Sequence, residues 1–155
     1  MQRTKMASPC LAVAACLCLS TAVSLGQERN QPASPNAAAP ALDYEFFKQK
    51  VEPVFLTKRE GHTRCVVCHT INNAPLHLVP LSPGAAAWND QQSRQNFQLV
   101  QKVVVAGYEG SPLIKHPLAE EAGGDPHHGG GQQFAAQDDP DWKTLKDFVF
   151  GAKLK

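Results

Sequence analysis

Cys65, Cys68 and His69 stand in the spacing C-x-x-C-H within RCVVCHT, and no other stretch restricts this chain so strongly. Two thiols three positions apart can bind zinc, run thiol–disulfide exchange, close a disulfide or grip a haem. A structural zinc site needs four ligands, commonly two pairs, and no second cysteine pair follows; His69 and a distant histidine would have to complete it. A thioredoxin-like site places C-x-x-C at the start of a helix after a strand, and no βαβ pattern surrounds this one. A disulfide across two intervening residues closes a small, strained loop. Haem uses all three residues. Each thiol adds to one vinyl group of the porphyrin, and the next imidazole, His69, sits beneath the iron. The spacing therefore predicts one covalently bound haem c, with Cys65 and Cys68 as thioether positions and His69 as proximal ligand.

The chain ends fit that chemistry. Of 155 residues, the first 26 read as a signal peptide: Arg3 and Lys5 form a basic start, CLAVAACLCL is an apolar run, and SLG offers small residues for cleavage near Gly26–Gln27. The run is interrupted by Ser20 and Thr21 and falls short of the about 20 residues that a bilayer span needs. An uncleaved anchor and a lipid on Cys16 are the alternatives. Cleavage removes Cys10, Cys16 and Cys18, so Cys65 and Cys68 alone remain, and the formal charge moves from +1 to −1 as Arg3 and Lys5 leave. A periplasmic or otherwise exported location follows, where stray thiols tend to pair. With 43% hydrophobic and 19% charged residues, neither disorder nor a polyanion-binding class is favoured; no nucleic acid is expected as partner.

Residues 27–42, rich in Pro and Ala with almost no large apolar side chain, read as a flexible tether, and 43–155 as one folded domain. The first helix runs through DYEFFKQKVEPVF, with Asp43 capping and Tyr44, Phe47, Val51 and Phe55 as its stripe. Pro53 should bend or divide it. A second helix lies within DQQSRQNFQLVQKVVVAG, where Phe97, Val100 and Val104 share a face and Gly107 can stop it. SPLIKHPL is a single turn, with Ser111 capping and Pro112 first. The last helix is capped by Asp139, opened by Pro140, striped by Trp142, Leu145 and Val149, and ended by Gly151. No period-two run appears. The fold class expected is all-α.

These features resemble a family. CVVCH, the phenylalanine-rich first helix, SPLIKHPL, HGGG followed by Phe134, and a capped last helix together resemble class I-like monohaem c-type cytochromes, closest to planctomycete-type cytochrome c domains. The resemblance spans about residues 43–155. It implies a cytochrome c-like fold of 3–5 helices around one haem, with long irregular loops and crossed N- and C-terminal helices. The Phe47 and Trp142 faces are the candidates for that crossing.

Class I cytochromes use methionine on the far side of the iron, but Met1 and Met6 are the chain's two methionines and both lie in the signal segment. The iron must then be bound by a second histidine, by lysine, an amine or water, or stay open. His62 is too close to Cys65 to cross the haem, and His77 too close to His69. His128, in DPHHGGGQQF, is the preferred distal ligand, because three following glycines let backbone approach a flat macrocycle; His127 and His116 are alternatives. A carbonyl should orient His69 from behind; class I cytochromes use a proline about a dozen residues on, which makes Pro80 the first candidate and Pro75 the second. Trp88 and Arg94 are further candidates for a haem propionate.

A single-electron carrier between larger redox partners in the periplasm is the expected function, with a monomer as the expected state and the membrane reached only through the N-terminus. Replacing methionine by histidine should lower the reduction potential. Lys58, Arg59 and Arg64 on one side and Glu120, Glu121 and Asp125 on another could steer association. A five-coordinate haem protein with ligand-binding or peroxidase-like activity, and a structural haem module, are the rival readings.

Overall fold

The computed structural model describes residues 38–71 and 74–155, so the expected signal peptide and Cys16 lie outside the described residues. Helix α1 begins after Asp43, whose carboxylate accepts from the Phe46 amide at 2.7 Å. It runs as an α-segment Tyr44–Phe46, a π-segment Phe47–Val51 and an α-segment Glu52–Leu56. Pro53 thus neither ends nor divides the helix. The backbone ladder widens to i→i−5 just upstream, the Glu52 amide reaching Phe47 O, and so changes register where proline has no N–H to give. The expected stripe holds across that turn: Phe47, Val51 and Phe55 are buried and Tyr44 packs against the core. Phe46 and Phe47 are both buried, followed by Val51, Val54 and Phe55, while Tyr44 is only half-buried.

Helix α2 is Cys65–His69, and α3 is Asp90–Gln101. Asn89 caps α3 in a reciprocal box with Gln92, each side chain serving the other's backbone. α3 ends well before Gly107, because residues 103–107 turn back toward the C-terminus: Gly107 N donates to Val149 O at 2.8 Å. α4, Pro112–Lys115, is the expected single turn. Ser111 stands at its N-cap, but its hydroxyl accepts from Val105 N at 3.0 Å instead of from the helix. A 3₁₀ turn, Glu120–Ala122, follows. α5, Pro140–Val149, is capped by Asp139, which accepts from the Asp141 and Trp142 amides.

Among the described residues the fold is helical without strands; Leu118 and Phe134 form one isolated bridge. None of these helices is long and apolar enough to cross a membrane. The core joins α1 to α5 through Phe47 and Phe148, ring centroids 5.7 Å apart. Each such fully buried side chain contributes about 1.5–3 kcal/mol. Trp142, expected at that crossing, instead packs on α4 and donates its indole N–H to Ile114 O at 2.9 Å. The end of the expected tether is also part of the fold. A Cβ on Gly107, at φ +73, would strike the Pro40 ring at 2.8 Å, and Leu42 packs on the core.

Candidate functional site

Helical spacing puts Cys65, Cys68 and His69 on one face of α2, since residues three and four apart are neighbours on a helix. That face lines a cavity of about 870 Å³, within the size range of cofactor sites. Phe55 of α1, Leu113 of α4 and Leu145 of α5 supply apolar wall, and His128 comes in from the loop after the 3₁₀ turn.

The two histidines are held alike. His69 Nδ1 donates to Leu76 O at 2.8 Å, and His128 Nδ1 donates to Gly131 O at 2.6 Å. A carbonyl can only accept, so each ring carries a proton on Nδ1, which leaves Nε2 as the nitrogen available to a metal. Burial holds His69 below the usual histidine range; the Leu76 carbonyl opposes this and the nearby His128 adds to it. His69 is therefore neutral near pH 7. The ring centroids are 6.1 Å apart with planes inclined by 25°.

The turn that makes this possible is local. Gly131 N returns to His128 O at 2.9 Å, and Gly131 sits at φ +78, where an L side chain is strained. A Cβ on Gly130 would lie 3.8 Å from Cys68 Sγ, so the glycine backbone lies close to the cysteine face.

Both cysteines are free thiols. Burial pushes the Cys65 thiol up, partly opposed by Arg59, which is unlike the lowered value of a disulfide-exchange nucleophile. Among the described residues no three His, Cys, Asp or Glu side chains converge as a metal-ion site. A zinc tetrad built on these cysteines has no support in this arrangement.

Other expected residues fall elsewhere. The carbonyl behind His69 belongs to Leu76, while Pro80 O accepts from Gln92 Nε2 and Pro75 only lines the cavity. His127 and His116 both line the cavity, but His116 Nδ1 is paired with Asp125 at 2.6 Å. Trp88 gives its one donor to Val79 O, and Arg94 pairs with Asp90 and lies over Tyr44. Neither reaches the cavity, whose wall carries Arg64 and Lys102 instead. Arg59 is no surface charge. Its side chain is 12% exposed, pairs with Asp141 and stacks 4.6 Å over Phe134. Leu76 and Lys102 gave no signal in the sequence; a carbonyl has no residue signature, and Lys102 follows α3 as an ordinary exposed cation.

The chain matches no family model, no characterised protein and no solved structure among those compared.

Proposed function

We propose that this chain is an exported monohaem c-type cytochrome with a cytochrome c-like fold, carrying single electrons between larger redox partners. The observation that carries the proposal is the pair His69 and His128, each fixed from behind by a carbonyl, with centroids 6.1 Å apart across a cavity that Cys65 and Cys68 also face. The residues fit the group. The two thiols would hold it through thioethers: each S–H adds across a vinyl C=C, sulfur bonding one carbon and hydrogen the other, with no oxidant consumed. When bound, haem supplies an iron that cycles between two oxidation states.

The protein's part is to orient, shield and tune. The Leu76 and Gly131 carbonyls set both rings, a second-layer contact that raises ligand basicity. Phe55, Leu113 and Leu145 line the cavity with apolar surface, which would disfavour water beside the group. Arg64 and Lys102 are the cations available to haem carboxylates. With two histidines and no methionine as ligands, the potential would lie below that of His/Met cytochromes.

The test is a visible spectrum of the protein expressed with haem-attachment machinery, with an alkaline pyridine assay and acid–acetone extraction. The expected result is colour that survives extraction, a two-thioether haem c spectrum, and six-coordinate low-spin iron in both oxidation states. A colourless extracted protein overturns the proposal. Rapid carbon monoxide binding to the reduced protein would replace the carrier with an open-site haem protein.

A further inference from the structure

Between α1 and α3 lies an acid that the proposed electron transfer does not use. Glu52, at the start of the last segment of α1, is 5% exposed. Ser93 of α3 donates its hydroxyl to Glu52 Oε2 at 2.9 Å, while Oε1 is buried with no partner. Asn96, one turn further along α3, has an unpartnered buried Nδ2. The carboxyl has no cation of its own. Lys48, the nearest on α1, is bound to Asp90 at 2.8 Å, and Asp90 also takes the Tyr44 hydroxyl and the Arg94 guanidinium. Lys48 and Asp90 are the charged groups that act on Glu52; α5 meets this part of α1 through Phe148.

The group is tied to the site by contiguous contacts. Asn96 Oδ1 accepts from Val79 N at 2.7 Å, and the adjoining Leu78 N donates to His69 O at 2.6 Å. On α1, Phe55 stands one turn beyond Glu52 and lines the cavity. Glu52 is thus linked to the His69 backbone through Ser93, α3 and the Leu78–Val79 segment, in a setting where charge is poorly screened.

We propose that Glu52 is a proton-binding site coupled to the iron, so that uptake of an electron by the protein is accompanied by partial uptake of a proton at this carboxyl. This rests on the haem reading above. A one-electron donor reduces Fe(III) to Fe(II); the Glu52 carboxylate gains a proton from solvent and becomes the acid; oxidation reverses both. The added electron makes a nearby anion less favourable, so reduction raises the proton affinity of Glu52. Burial pushes the carboxyl up to about 7, against the pull of Ser93 and Lys48, which places the exchange at neutral pH.

The experiment is voltammetry of the full-length holoprotein from pH 5 to pH 9, with redox-difference infrared spectroscopy. The potential should fall as pH rises across a window near 7, corresponding to a threefold to tenfold change in proton affinity; tenfold equals 59 mV for one electron. A protonated-carboxyl band should appear on reduction. Glu52→Gln should abolish both the pH step and the band. Ser93→Ala, which removes a hydrogen bond favouring the ionised form, should move the step to higher pH and keeps the test alive if Glu52→Gln fails to fold. A flat potential, or a step unchanged in these variants, overturns this inference and leaves the haem reading standing. A protein without covalent haem overturns both.

Discussion

The two walls of the cavity reach the same chemical end by different means. His69 belongs to a helix that also carries both cysteines, and its ring is tied to a carbonyl seven residues away. That carbonyl's segment is itself anchored, with Leu78 N on His69 O, Val79 N on Asn96, and Trp88 on Val79 O. His128 belongs to no helix. Its ring is tied three residues ahead, inside one turn that depends on a left-handed glycine. The first wall is held by the tertiary core and the second by local backbone conformation. Damage to the first should therefore spread, and damage to the second should stay where it is made.

The largest effect tests the wall that carries the cysteines. Replacing both Cys65 and Cys68 by alanine should abolish covalent haem, measured as complete loss of colour after acid–acetone extraction, while His128→Ala should leave it attached. The distal wall is tested next. His128→Ala should free one iron position, seen as high-spin spectra and fast carbon monoxide uptake. His128→Met should raise the potential by a sizeable part of the about 0.8 V that axial ligands span.

A smaller effect separates the anchored layer from the turn. Glu52 holds its proton up to about pH 7 against an ordinary 4.5, so the folded state binds more protons than the unfolded state between those values. Its stabilising effect is full below about 4.5 and is lost as pH rises through 7. Glu52→Gln cannot ionise and should gain about 2–3 kcal/mol over the parent at pH 8 relative to pH 5, measured by urea unfolding. The smallest effect is at the turn. Gly131→Ala should cost about 1 kcal/mol from the positive φ, with a perturbed distal-ligand spectrum and an unchanged thioether signature.

How much of this was legible depends on whether the cause is local. Caps at Asp43 and Asp139, the single turn after Ser111, and the all-helical class are written in short spacings, and the structure shows them. The three side chains of C-x-x-C-H share a face because the motif has helical spacing. What escaped reading was set by partners remote in the chain. Trp142 gives its indole N–H to the Ile114 carbonyl of α4, Arg59 is drawn inward by Asp141 and Phe134, and Pro53 is absorbed by a wide turn instead of dividing α1. The Leu76 carbonyl behind His69 is backbone, which any residue type could supply.

The compactness of the His69 wall has a temporal consequence. The cysteines, the imidazole and the carbonyl that steadies it all lie between Arg64 and Leu78, so on the proposed haem reading a short emerging piece of chain would present them to the attachment machinery. On that reading the opposite imidazole, His128, follows some sixty positions later in the chain and would reach the metal after the His69 segment. Loss of the high-spin signal during maturation would then serve as a built-in clock for the end of folding.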